Sequence, residues 1–329
     1  MNQYECDKYV TNITNAENLK QTLETFGVAI IPSVLTPTEC VNMQNGMWNY
    51  LEQITRKFDI PIKRNDEKTW KSFSKLYPLH SMLLQRWGIG HAQFIWDIRQ
   101  NTKIVDIFAK LWNVDRTDLL VSFDGASFHF PPEKTKKGWF NGNNWLHTDQ
   151  SYMRNDFECI QSWVTAYDVN EGDATLTFLE GSQQYHADFA QKFGIKSVDD
   201  WIKLENDDQY NFYVNEKKCA RKSIKCPAGS IVLWDSRTIH MGQEPLKERI
   251  KDNMRCVAYL CYMPRYKASE ANLAKKIKAF EELRTTNHWA HKPKLFPVNP
   301  RTYGEELPEI EPIPNPILND LGRKLVGYI

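Results

Sequence analysis

No run of apolar residues approaches the roughly 20 that a membrane-spanning helix needs, and the opening residues MNQYECDKYV lack a basic stretch leading into an apolar one. The expectation is a soluble, cytoplasmic protein with no membrane partner. Blocks of like charge are missing as well: 42 Lys and Arg stand against 41 Asp and Glu, for a net charge of +1. Without a basic patch, nucleic acid is not an expected partner. The seven cysteines (Cys6, Cys40, Cys159, Cys219, Cys226, Cys256, Cys261) are odd in number, scattered and free of any C-x-x-C pair. That argues against both a disulfide framework and structural zinc. Cys256 and Cys261 lie in an apolar run and are expected as small buried side chains.

What is present is a globular composition. Hydrophobic residues make up 41% and aromatics 12%, with 11 Trp, enough for a sizeable core in a chain of 329 residues. We expect one compact unit. Residues 1–117 read as mixed helical support: "AENLKQTLETFG" is a helix stopped by Gly27, "VAIIPSVL" a short buried strand, and "TPTECVNMQNGMWNYLEQI" a helix opened by a Thr cap and Pro.

From Leu119 the hydrophobic period becomes two. "LLVSFDGASFHF", "CIQSWVTAYDV", "ATLTFLEGS", "CPAGSIVLWD" and "MRCVAYLCYM" are short strands separated by Gly and Pro turns, which suggests an antiparallel sandwich or small open barrel over residues 118–265. An insertion at about 184–222 interrupts them with helical and polar sequence. Residues 266–329 supply a helix and a Pro-rich tail, expected to cap the barrel.

Within "NNWLHTDQSY", His147 and Asp149 form a His-x-Asp pair. With 8 His and 41 acidic residues, chance alone supplies about one such pair, and His186–Asp188 is a second. Local structure separates them. In a strand, residues i and i+2 share a face, so His147 and Asp149 can converge on one ion. His186 leads instead into the helical pattern "DFAQKFG", where i and i+2 diverge and Asp188 reads as a helix cap.

A metal needs a third ligand, and "CPAGSIVLWDSRTIH" offers His240 after a strand and a polar turn. His80 and His91 lie in the supporting region; His129 lies on the first strand without a carboxylate beside it; His288 and His291 are expected to pack in the tail. Two His and one carboxylate form the facial triad of non-haem iron oxygenases, which leaves adjacent positions open. A dicarboxylate keto acid as cosubstrate would then need a buried cation of fork geometry. Arg255 meets that need, on a strand whose same face carries Val257 and Tyr259. Arg249 and Lys251 precede it in a charged stretch expected to be solvated.

The order His-x-Asp, His, Arg resembles the Fe(II)- and 2-oxoglutarate-dependent dioxygenases, and more narrowly the phytanoyl-CoA dioxygenase family. "WLHTDQ", "CIQSWVTAYDV", "EGDATLTFLEGSQ", "GSIVLWDSRTIHMG", "MRCVAYLCYMP" and the N-terminal "ETFGVAIIPSVLTPTEC" carry the likeness, which covers roughly residues 20–265. It implies a mainly β fold with supporting helices around a double-stranded β-helix, of jelly-roll or cupin type. His147, Asp149 and His240 would hold Fe(II), Arg255 would take the far carboxylate of 2-oxoglutarate, and Trp163 would line its pocket. The sequence departs from the family pattern at Glu180-Gly181-Ser182-Gln183, where Pro-Gly-Ser-His is usual, and at Gly242, often a hydroxyl residue near the cosubstrate.

The implied reaction couples O2 and 2-oxoglutarate, released as succinate and CO2, to hydroxylation of a substrate C–H bond. Asp149 fills the position that related halogenases leave to chloride. A zinc hydrolase with the same ligands gives Arg255 no task, and a non-catalytic barrel that binds a ligand or partner is the alternative from another class. The substrate is expected to be a small molecule or a protein side chain. The loop "PPEKTKKGWFNGNN" (131–144) is a possible lid whose Lys134, Lys136 and Lys137 would meet an acidic group or water.

Overall fold

The computed structural model describes residues 9–10 and 12–329; Cys6 and the opening segment lie outside them. Its strands are β1 (Tyr9–Val10), β2 (Val28–Ile31), β3 (Leu83–Leu84), β4 (Leu119–Val121), β5 (Ala126–His129), β6 (His147–Thr148), β7 (Ile160–Thr165), β8 (Thr175–Leu179), β9 (Ile202–Lys203), β10 (Arg221–Ile224), β11 (Ile231–Asp235), β12 (His240–Gln243) and β13 (Arg255–Pro264). Its helices are α1 (Leu19–Phe26), α2 (Pro37–Ile54), α3 (Gln93–Arg99), α4 (Thr102–Trp112), α5 (Pro132–Thr135), α6 (His186–Phe193), α7 (Asp207–Asn211), α8 (Glu270–Glu281) and α9 (Asp320–Val326).

The strands form two sheets. One runs β1-β10-β8-β12-β6-β9; the other runs β2-β11-β7-β13-β5-β3, with β4 paired to the far end of β13. Apart from β1, which lies parallel to β10, the pairings within them are antiparallel. This is the double-stranded β-helix, a jelly-roll-like core with helices outside, as the sequence predicts.

Strand alternation sorts the first eight β13 side chains onto two faces. Cys256, Ala258, Leu260 and Tyr262 point out and join the apolar cluster formed with α2, α3 and α4. Val257 and Tyr259 point in, where the two sheets face each other over Val28, Ile30, Trp163, Leu176, Phe178, Ile224, Val232 and Trp234. Outside the smaller sheet, Leu179 and Met241 pack against Phe189, Phe212 and Tyr213 of the insertion.

The supporting helices follow their sequence signals. Thr36 and Glu39 cap α2 reciprocally, the Thr36 side chain accepting from Glu39 N and the Glu39 carboxylate from Thr36 N, worth about 1 kcal/mol. Gly27 ends α1 at φ 78, donating to the Leu23 carbonyl at 2.8 Å. A Cβ there would lie 2.5 Å from both Gln183 Oε1 and Thr238 Oγ1. The glycine carbonyl also accepts from Asp235 N and Thr238 Oγ1, so this tight corner fixes the turn between β11 and β12.

Several local expectations need correction. Arg249 is not solvated: its side chain is 1% exposed and bonded to Glu133 (2.6 and 2.8 Å) and Asp173 (3.0 Å). Burial of a charge is tolerable only with partners, and the 131–144 loop brings one in Glu133. Asp188 is not a cap; it sits in the first turn of α6, one turn along from the N-cap Tyr185, and pairs with Lys217. The predicted strand 119–130 breaks at Asp124-Gly125 into β4 and β5. Trp289 and Ala290 of the tail do pack on the barrel end, against Cys159, Cys261 and Met263.

Candidate active site

Strand pairing brings the predicted ligands together. β12 lies between β8 and β6, with His240 directly opposite His147, and the two imidazole centroids are 4.4 Å apart. β6 is only two residues long. Asp149 therefore lies past its end, where the Ser236 carbonyl accepts from Asp149 N at 2.9 Å and from the Thr148 hydroxyl at 3.0 Å. Asp149 Oδ1 is 3.6 Å from His147 Nε2 and Oδ2 is 3.4 Å from His240 Nε2. One ligand atom from each of the three lies within 4.8 Å of the others.

The hydrogen bonds define how these groups present themselves. His147 Nδ1 donates to the Trp145 carbonyl (3.0 Å) and His240 Nδ1 to the Thr238 carbonyl (2.8 Å). Each ring then turns its Nε2 toward Asp149, the nitrogen left for a metal. Burial lowers the His240 pKa, reinforced by His147 and opposed by Asp149. For Asp149 burial acts upward, but the facing His147 and His240 outweigh it and hold the carboxyl well below its usual range. A carboxylate between two imidazole Nε2 atoms is a donor set that fits a divalent cation, Fe(II) included.

The same interior holds the other two predicted residues. Arg255 is 5% exposed, donates to Ser127 Oγ (3.1 Å) and the Ala174 carbonyl (3.0 Å), and packs 5.3 Å from the centroid of Trp163. No carboxylate pairs with it among the described residues. Trp163 is fully buried, and its indole N–H has no partner. A buried guanidinium without an anion beside an unpartnered N–H suits a carboxylate ligand. Arg249, by contrast, already has its anions.

Other residues at the centre escaped the sequence reading. Gln161 Nε2 donates to Asp149 Oδ2 at 3.0 Å. Its signal was available: Cys159, Gln161 and Trp163 share one face of β7, so an amide stood on an otherwise apolar inward row. Ser127, two residues before His129 on β5, had no such signal, because its task comes from pairing with β13. His288 places Nε2 3.3 Å from the Asp149 carbonyl, a contact of the cap rather than a ligand. His129 pairs across from Arg255 and is bonded to the Gly138 carbonyl. His80 stacks on Trp145, and Trp145 on His147, at 3.7 and 4.9 Å.

The two departures from the family pattern have local explanations. Gln183 donates to the Leu23 and Glu24 carbonyls, tying down the end of α1. Gly242 faces Met82 and Trp145, and a Cβ would come 3.0 Å from the Met82 methyl. A cavity of about 260 Å³ beside the 131–144 loop is lined by Trp70, Phe73, Tyr77, His129, Phe130 and Lys137. The triad does not line it. Lys134 pairs with the Glu67 carboxylate, while Lys136 bonds the Glu133 backbone carbonyl. Among the described residues no helix is long and apolar enough to cross a membrane.

Comparison with known proteins bears on the fold and the family. The "Ava biosynthesis cluster protein O" of Aspergillus versicolor is 27% identical over 246 residues, 72% of this chain and 75% of that protein. A hypothetical protein of Escherichia coli superposes with a TM-score of 0.58 at 14% identity, covering 97% of this chain and 85% of that one. The GlcNAc-inducible gene 2 product of Candida albicans gives 0.56 at 10% identity, over 98% and 78%. At such identities these two structures speak for the fold alone. The phytanoyl-CoA dioxygenase family model matches residues 23–246, more than half of the sequence, and the chain belongs to that family.

Proposed function

We propose that this protein is an Fe(II)- and 2-oxoglutarate-dependent oxygenase that hydroxylates a small organic substrate, releasing succinate and CO2. The observation that carries the reading is the joint presence, inside one barrel, of a His147–Asp149–His240 cluster and an Arg255 guanidinium without an anion. His147, Asp149 and His240 would hold the iron, which when bound supplies oxygen activation coupled to oxidative decarboxylation of the keto acid.

The chain's own residues do the rest. Arg255 binds the far carboxylate of 2-oxoglutarate, Trp163 donates its indole N–H and walls the pocket, and the buried inner row of β7 and β13 excludes water. Gln161 holds the Asp149 carboxylate in its orientation toward the two imidazoles. The Aspergillus versicolor relative is named for a biosynthesis cluster, which favours a metabolite over a protein side chain. The same reading takes residues 1–117 as support, 118–265 as the core and 266–329 as its cap, all parts of one working unit.

The test is succinate formation from 2-oxoglutarate by the iron-loaded protein under oxygen. We expect turnover that stops without iron, without oxygen and in Asp149→Ala. Iron-loaded protein that neither binds nor consumes 2-oxoglutarate would return the non-catalytic barrel as the better account.

A further inference from the structure

Strand β9 comes from the insertion, yet it pairs with the ligand-bearing β6: Lys203 lies opposite His147 and Ile202 opposite Thr148. Continuing that antiparallel register by one residue puts Trp201 opposite Asp149. Alternation then gives Trp201 and Lys203 the same face as His147 and Asp149, the face on which the metal ligands converge.

Contacts bear the register out for the indole, whose centroid is 5.6 Å from that of His147. Trp201 is nevertheless 54% exposed. A large aromatic left half in water beside a ligand cluster lacks the cover that the rest of this chain gives its tryptophans: Trp163, Trp234 and Trp289 are no more than 2% exposed. The segment carrying it is not loose. Ser151 Oγ donates to the Ser197 carbonyl, Ser151 N bonds Asp200 Oδ1 at 3.2 Å, and Arg154 pairs with Asp200. The loop after Asp149 is thereby bonded to the loop before β9. Met153 and Val198 stand on these two loops, 55% and 81% exposed. Lys203 is exposed on the same face, with no carboxylate paired to it among the described residues.

Resting on the oxygenase reading above, we propose that Trp201 and Lys203 form the substrate-recognition edge of this site, selecting a planar, unsaturated ring system that carries an acidic group. The ring stacks on the Trp201 indole, and the anion meets the Lys203 ammonium. A flat molecule held there lies against the triad, which is where a C–H bond must be to react. A linear aliphatic chain would cover the indole less completely and gain less from it. Trp201 and Lys203 thus set specificity while the ligands stay as they are.

Binding rather than turnover tests this. Protein loaded with Fe(II) and 2-oxoglutarate is titrated anaerobically by calorimetry with 2-naphthoate, 2-naphthol and decanoate. We expect 2-naphthoate to bind best, Trp201→Ala to weaken it about tenfold, and Trp201→Phe to restore most of the affinity. Lys203→Met should bring 2-naphthoate down to the level of 2-naphthol. Decanoate binding as well as 2-naphthoate, or Trp201→Ala leaving 2-naphthoate unchanged, overturns the ring; an unchanged 2-naphthoate affinity in Lys203→Met overturns the acidic group. A wild-type dimer that Trp201→Ala converts to monomer shows a second copy of the chain as the occupant and overturns the inference too. The loading step is itself followed by calorimetry, and failure of the wild-type iron protein to bind 2-oxoglutarate there is a separate result that sinks the functional reading itself.

Discussion

Gln161 and Asp149 meet through one hydrogen bond of 3.0 Å, and the same amide nitrogen reaches Ser236 Oγ at 3.2 Å. The carboxylate lies just past the end of β6 and the amide in the middle of a sheet, so the strand residue helps aim the carboxylate. Gln161→Leu removes the donor while keeping most of the volume. We expect iron affinity to fall by about 10- to 100-fold, measured by competition with a chelator, with the thermal midpoint nearly unchanged. Undiminished affinity would mean that Ser236 and the backbone suffice to aim Asp149.

Arg255 should be specific in its chemistry. Lys keeps the charge but loses the planar fork that already engages Ser127 and Ala174. Arg255→Met should weaken 2-oxoglutarate binding by about 2 kcal/mol or more, roughly 30-fold, and Arg255→Lys should recover only part of it. Calorimetry with pyruvate, which lacks the far carboxylate, is the control: its affinity should be the same in all three proteins.

Arg249 predicts stability instead. Its side chain bridges Glu133 of the 131–144 loop and the buried Asp173. Replacing it by Met strands Asp173 and frees the loop, at a cost of about 3 kcal/mol. Urea unfolding reads this directly, and a change under about 1 kcal/mol would show that Asn253 Nδ2 and Asn170 N, which bond Asp173 at 2.7 and 2.9 Å, suffice without Arg249.

Glu39 gives a pH dependence. Burial pushes its carboxyl up, but Lys103, the Thr36 backbone and hydroxyl, and Asn101 pull it down from 4.5 to about 2. A depressed acid stabilises the fold above its unfolded value and loses that contribution as pH falls through the folded one. The wild type should therefore lose stability between about pH 4.5 and 2 more steeply than Glu39→Gln. Parallel acid-unfolding curves for the two proteins would refute the assignment.

How much of this could be read from sequence differs by element. The caps of α2 and the Gly27 stop are local grammar and were legible, as was the outward and inward alternation of β13. His147, Asp149, His240 and Arg255 were legible as candidates because strand periodicity and chemical need pointed to the same residues, and the fold brings the first three within 4.8 Å of one another. Arg249 was not, since its burial depends on Glu133, 116 residues away. Trp201 was hidden for a similar reason: β9 is two residues long, too short for a periodic pattern, and only its register against β6 shows which way the indole faces. Asp188 misled because an acid near a helix start serves a cap or a first turn, and sequence alone does not fix which residue is first.

The short β6 has one neighbour from the core, β12, and one from the insertion, β9. The strand that carries His147 is thus the seam between the barrel and the insertion. Recombining the 184–222 segment between relatives should transfer substrate preference as a cassette, with iron chemistry left behind in the acceptor barrel.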